Sequence, residues 1–163
     1  MYTIVETSSG VKFIIDSEDY EKVSKHSWKC DKNGYIRRTV WIDKKAKKST
    51  TLALHRFLLN APDDICVDHI NGDILDNRKT NLRLATKAQN NRNAKPSVLN
   101  TSGYKGVSYC KESGKWKAQV TYKGKRVNLG RFSSKEDAAR MYNFWAADIY
   151  GEFAWLNRIE EGE

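Results

Sequence analysis

Proline and cysteine are scarce in this sequence, with two of the former and three of the latter among 163 residues. Cys30, Cys66 and Cys110 lie far apart and lack the paired spacing of a zinc ribbon, so they read as free thiols and no structural zinc is expected. No apolar run approaches the length of a membrane span, and no signal-peptide pattern opens the chain. A soluble intracellular protein without a membrane partner is the expectation. Acidic residues are also short: 20 Asp and Glu stand against 29 Lys and Arg, for a net charge of +9. Such an excess favours a polyanionic partner, although charge alone does not separate nucleic acid from an anionic membrane surface. The length allows one ordinary domain or two small ones.

What is present centres on residues 67–93. Asp68 and His69 lie side by side at the end of a short apolar stretch. If that stretch is extended, the two side chains point to opposite sides, so a hard carboxylate ligand and a base can be neighbours without competing. Asn71-Gly72-Asp73 is rich in turn formers, and Asn81-Leu82-Arg83-Leu84-Ala85 then alternates like a short strand, which together make a ribbon. Thr86-Lys87-Ala88-Gln89 has the spacing of a capping box, so a helix should begin near Thr86 and return Asn90 to the ribbon mouth.

The pattern Asp68-His69, Asn81, Asn90 resembles the HNH endonucleases with a ββα-metal core, in the phage and intron-encoded branch whose last position is Asn. The resemblance implies His69 as general base on the attacking water. It implies Asp68 and Asn90 as ligands of one divalent ion, Mg²⁺ first and Mn²⁺ as the alternative, and Asn81 as a brace for the loop holding His69. Such an ion would offset charge developing on the scissile phosphate and help the leaving oxygen depart.

Residues 1–60 read as an α+β segment supporting a core at 61–93. Tyr2-Thr3-Ile4-Val5 and Val11 to Ile15 are strand-like, with Ser8-Ser9-Gly10 as the turn. Asp16 or Ser17 is expected to cap a helix running to about Trp28, with Tyr20, Val23 and Trp28 inward. Asn33-Gly34 signals a hairpin into residues 35–42. The run Lys44-Lys45-Ala46-Lys47-Lys48 is either a solvated loop or a phosphate contact. Leu52 to Leu59 forms the entry to the core. There Arg56 could hold a phosphate through its planar fork and His55 could sit near the site; a surface Arg and a hydrogen-bonded His are the alternative. His26 has no partner pattern and reads as structural.

Residues 94–101 break the periodicity around Pro96 and read as a linker. Beyond it, Tyr104 to Tyr109, Trp116 to Tyr122 and Arg126 to Phe132 read as three antiparallel strands, with Lys123-Gly124-Lys125 as a turn. Ser133-Ser134-Lys135-Glu136 supplies a capping box. Ala138, Met141, Tyr142, Trp145 and Ile149 fall on one helical face before Gly151 ends the helix. The uncovered sheet face would carry Lys117, Gln119, Thr121, Arg126 and Asn128, cationic and amide side chains suited to phosphates and base edges in a major groove.

Tyr104-Lys105-Gly106-Val107, Gly114-Lys115-Trp116, Leu129-Gly130-Arg131-Phe132, residues 136–142 and the closing Leu156-Asn157 resemble the AP2 DNA-binding domain, over residues 102–157 ahead of a tail at 158–163. That resemblance implies base- or phosphate-facing roles for Lys105, Ser108, Gln119, Thr121, Arg126 and Asn128. Several of these are Arg or Trp in the plant transcription factors, so their target sequence does not carry over. The combined expectation is a homing-type DNA endonuclease on double-stranded DNA, nicking as a monomer or cutting both strands as a dimer. Bacterial or phage-infected host cytoplasm is its expected place. A non-catalytic DNA-binding regulator is the alternative. An RNA-binding role is weaker, because the aromatics are needed for core positions.

Overall fold

The computed structural model describes residues 1–160. It is a mixed α/β structure whose chain forms two compact units, Met1–Asn90 and the residues from Asn91 onward. No described helix is long and apolar enough to cross a membrane.

The first unit opens with β1 (Tyr2–Glu6) and β2 (Lys12–Asp16), an antiparallel hairpin in which Ile4 faces Ile14. The outer edge of β2 is not left open. Ile14 N–H donates to Leu75 O, Asn77 N–H donates to Ile14 O, and the Asp16 carboxylate accepts from Lys79 N–H. The hairpin is thereby stitched to the segment that follows His69. These long-range bonds also shorten the first helix. The sequence suggests a helix from Asp16 or Ser17 to Trp28, but only a 3-10 turn (Ser17–Asp19) and α1 (Tyr20–Ser24) form, and no side chain caps either. Asp16 is spent on Lys79, and Ser17 Oγ accepts from Thr3. Val23 and Trp28 are buried as expected, yet Trp28 lies beyond the helix and folds back so that its indole N–H donates to Val23 O. Tyr20 is exposed.

A three-stranded antiparallel sheet follows, β3 (Lys29–Cys30), β4 (Ile36–Asp43) and β5 (Lys48–Ala53), with β4 central. The Asn33-Gly34 turn is shaped by the Asp31 carboxylate, which accepts from Asn33 N–H and Tyr35 N–H. Gly34 has φ of +87°, and a Cβ there would meet Ile74 Cδ1 at 2.8 Å. The lysine-rich run is an exposed turn between β4 and β5, organised by Asp43, whose carboxylate accepts from Lys45 and Ala46 N–H. Next come α2 (Leu54–Leu59) and the ribbon β6 (Cys66–His69) and β7 (Leu82–Ala85), paired so that Asp68 faces Arg83 and His69 faces Leu82. α3 (Lys87–Asn93) begins at the expected capping box, where Gln89 N–H donates to Thr86 Oγ1 and Thr86 N–H to Gln89 Oε1. One core joins these pieces: Phe13, Ile15, Val23, Trp28, Ile36, Leu54, Leu58, Val67 and Leu82 pack together.

In the second unit, β8 (Val107–Cys110), β9 (Lys115–Tyr122) and β10 (Lys125–Phe132) form an antiparallel sheet with β9 central, packed against α4 (Lys135–Tyr150). Ala118 and Val120 of β9 point to the helix. The cap of α4 is Ser134 rather than Ser133, its side chain accepting from Asp137 N–H, and the helix ends at Gly151. Its buried residues are Ala138, Ala139, Tyr142, Ala146 and Tyr150, so the inner face is rotated from the expected one and Trp145 is exposed. Gly106 (φ +76°) lies under Tyr142, and a Cβ there would come within 2.0 Å of the ring. Where β8 stops covering β9, the Tyr150 hydroxyl takes over, donating to Thr121 O and accepting from Thr121 N–H. Asn157 closes the unit: its amide accepts from Lys105 N–H and donates to Lys105 O, while its own N–H donates to Asn143 Oδ1.

Candidate active site and nucleic-acid interface

His69 ends β6 and is 4% exposed. Its Nε2 lies 3.3 Å from Asn77 Oδ1. Asn77 is itself fixed, since its Nδ2 donates to Ile74 O and its main-chain N–H to Ile14 O. With the amide nitrogen already committed as a donor, Oδ1 is the acceptor. The Asn77 contact therefore favours the tautomer with the proton on Nε2 and the basic lone pair on Nδ1.

His55, from the first turn of α2, packs edge-on to His69 with ring centroids 5.2 Å apart, and Tyr35 flanks both rings. Burial pushes the His69 imidazole below its ordinary range, against the opposing pull of the Asn77 bond and of Asp68, Asp73 and Asp76. Burial, then the neighbouring His69, Arg37 and Arg56, lowers His55 to about 3. Both imidazoles are neutral at pH 7, and a neutral imidazole can accept a proton.

Asp68 is 5% exposed and points to the other side of the strand. Arg83, opposite it across the ribbon, donates to Asp68 Oδ2 from Nε at 2.9 Å and Nη2 at 2.7 Å. Asn81 holds the loop after His69 at both ends: its Oδ1 accepts from Asn71 N–H, its Nδ2 donates to Asp76 O, and its main-chain carbonyl accepts from Ile70 N–H. Arg78 forks onto Asp76 and, by that hydrogen bond first, keeps its carboxyl ionised to lower pH than usual. Asn90 is half-buried in the first turn of α3, its N–H donating to Thr86 O.

Among the described residues no group of three or more His, Cys, Asp or Glu is placed to hold a metal ion. The expected pair is of another kind, one carboxylate and one amide. Both offer oxygen, which suits a hard divalent ion that keeps water and substrate phosphate in the rest of its shell. By donor chemistry Asp68 and Asn90 fit such an ion, and Arg83 is a counter-charge to the Asp68 carboxylate.

Two residues read from the sequence as phosphate contacts are engaged elsewhere. The Arg56 guanidinium donates to the carbonyls of Ala61, Pro62 and Ile65, closing the loop after its own helix. The Lys105 ammonium donates to the carbonyls of Asn91, Arg92 and Ala94 at the end of α3. Lys105 answers main-chain oxygens that the end of a helix leaves without partners, whereas Arg56 answers carbonyls of the loop between α2 and β6.

The other candidates share a surface. Cross-strand register sets Ser108 and Arg131 on either side of Lys117, Asn128 beside Gln119, and Arg126 beside Thr121. Directly paired residues point the same way, so all seven lie on the face of the sheet away from α4. Lys117, Arg126 and Arg131 have no acidic partner among the described residues. Arg131 was not singled out in the sequence because the bulge between Asn128 and Gly130 shifts the alternation. Asn77 was hidden in a stretch rich in turn formers, and Arg83 is found only from strand register.

A family model described as HNH endonuclease matches residues 60–92. The chain is 33% identical over 165 residues to an uncharacterized HNH endonuclease of Acanthamoeba polyphaga mimivirus, an alignment covering 98% of this chain and 81% of that one. It is 38% identical over 93 residues to Protein 3.8 of Escherichia phage T7, covering 57% and 76% of the two chains. No solved structure matches. The matched segment contains Asp68, His69, Asn81 and Asn90 together with the Asn77 that orients the histidine, and the chain belongs to the HNH endonuclease family.

Proposed function

We propose that this chain is a metal-dependent, homing-type DNA endonuclease of the branch whose last motif residue is Asn. His69 is its general base, and the sheet face of the second unit places it on double-stranded DNA. The observation that carries the reading is the buried, neutral His69 whose Nε2 is turned toward a fixed Asn77 amide. That arrangement leaves Nδ1 to take the proton from the water that attacks the phosphodiester, and the developing imidazolium is stabilised by the Asn77 oxygen and by the carboxylates at 68, 73 and 76. Asn81 keeps the loop between the histidine and Asp76 in place. Asp68 and Asn90 would hold one divalent ion, Mg²⁺ first and Mn²⁺ as the alternative. When bound, the ion supplies Lewis-acid neutralisation of charge at the scissile phosphate and leaving oxygen.

The second unit is read as AP2-like. Lys117, Arg126 and Arg131 would hold phosphates, while Ser108, Gln119, Thr121 and Asn128 reach base edges. One hydrolytic site cuts one strand per encounter, so nicking is the simpler outcome.

The regulator reading is favoured by one observation, the Arg83 fork on Asp68, which a metal ion has to displace or share. Supercoiled plasmid carrying random inserts separates the two. Conversion to open circles with Mg²⁺, stopped by EDTA, is expected. Linear product indicates paired action, and duplex binding without cutting over a range of Mg²⁺ and salt contradicts the nuclease reading.

A further inference from the structure

An open groove of about 510 Å³ lies in the first unit, lined by Lys25, His26, Lys29, Asp31, Arg37 and Arg38 with neighbouring hydroxyl residues, and the hydrolytic residues take no part in it. Asp31, the one acid in the lining, is spent: it accepts from two main-chain N–H groups and pairs with Arg37 at 2.6 Å. Setting that pair aside leaves Lys25, Lys29 and Arg38 facing the groove with no acid in the lining to balance them.

Lys25 and Lys29 are exposed, while Arg38 packs on aromatic rings. Its guanidinium lies over the rings of Trp28 and Phe57, 5.9 and 5.3 Å from their centroids. Its Nε is buried with no acceptor among the described residues. Stacking occupies the flat face of a guanidinium and leaves the in-plane donors of its terminal nitrogens for an acceptor. His26 packs edge-on to the same two rings, and burial first, then Arg38 and Lys25, holds it below its ordinary range, so it adds no charge at pH 7. A stacked guanidinium with two exposed lysines and two threonine hydroxyls, Thr39 and Thr51, is the chemistry that holds a phosphodiester oxygen.

We infer that this groove binds the sugar-phosphate backbone of duplex DNA without reading its sequence, giving the nuclease unit a grip separate from the sheet of the second unit. The inference rests on DNA being the substrate and not on the role given to that sheet. Each phosphate no longer neutralised by a cation lowers the slope of log affinity against log salt by about 0.9. In the full-length chain, binding to a fluorescent random-sequence duplex should lose about one to two units of slope in the exposed double variant Lys25→Gln/Lys29→Gln, and about one unit in Arg38→Gln. Arg38 also packs on aromatics, so thermal melting checks that variant. The lysine variant, altered only at solvent-facing positions, keeps the test decisive if Arg38→Gln folds poorly. Lys25 and Lys29 should also be protected from acetylation when duplex is bound. Wild-type binding with unchanged slope in the lysine variant and unprotected lysines overturns the groove alone. A wild-type chain that does not bind duplex at all overturns the DNA reading and the groove with it.

Discussion

Replacing Arg83 with alanine leaves the Asp68 carboxylate, 6% exposed at its side chain, without the guanidinium that faces it at 2.7 and 2.9 Å. Arg83 is itself only 11% exposed there, so this pair is not the screened surface kind. Removing one partner of a buried pair costs about 3–5 kcal/mol, because the remaining charge stays desolvated and loses its counter-ion. The effect should be local to the ribbon, and amide hydrogen exchange at 66–69 and 82–85 reads it directly. Protection should fall by roughly two to four orders of magnitude in metal-free buffer. Removing both charges, in Asp68→Ala/Arg83→Ala, should recover most of the stability, since no buried charge is then stranded. Millimolar Mg²⁺ should restore part of the protection in Arg83→Ala and none in the double variant, because the carboxylate is the oxygen donor an ion would take. A loss under about 1 kcal/mol, the size expected of a surface pair, or a double variant no more stable than the single one, refutes the reasoning.

Acid should destabilise the first unit earlier than its carboxylates alone would cause. His55 has a folded pKa of about 3 against an ordinary 6.5, so the unfolded chain takes up the proton first. Stability is then full above about pH 6.5 and falls by about 1.4 kcal/mol per pH unit between there and pH 3. His69 acts in the same direction. Melting curves between pH 4 and 8 should show this slope, and His55→Gln should flatten it; an unchanged slope removes His55 as its source. Gly106→Ala should cost about 3 kcal/mol or more, since the backbone is left-handed there and the new methyl collides with Tyr142 and Gln119 O. Two-dimensional NMR should show collapsed dispersion for residues 104–157 with the ribbon signals retained; an intact spectrum at wild-type stability contradicts it. Lys117→Ala and Arg131→Ala should each weaken duplex binding on all sequences and reduce the salt slope by about one. Weakening from Lys117 alone contradicts the shared face.

What was legible in the sequence was what short-range chemistry determines. The Thr86 to Gln89 capping box started α3 where its spacing said it would, because both partners lie within one turn. The alternation of Trp116 to Tyr122 gave the inner and outer faces of β9, because a strand side chain turns over at each residue. The failures come from contacts that local pattern does not encode, one of them long-range. α1 stopped short because Asp16 was taken by Lys79, 63 residues away, and Trp28 bonded back to Val23 from outside the helix. Arg56 and Lys105 read as phosphate contacts, yet carbonyls of the loop after α2 and of the end of α3 captured them. Trp145 fitted an apolar stripe, but the buried face is rotated from it and carries the small residues Ala139 and Ala146. At the site, adjacency marked Asp68 and His69. Their partners Arg83 and Asn77 follow only from strand register and from the β2 edge that anchors Asn77.

The central claim is that His69 performs the chemistry while other groups hold the DNA. It is tested most directly by measuring duplex affinity and single-turnover cleavage side by side for wild type and His69→Ala in Mg²⁺. Binding within about twofold of wild type with cleavage reduced by a factor on the order of 10²–10⁴, the usual contribution of a general base, is the expected result. Cleavage at the wild-type rate by His69→Ala, with the same metal dependence, would contradict the assignment of His69 and the account built on it.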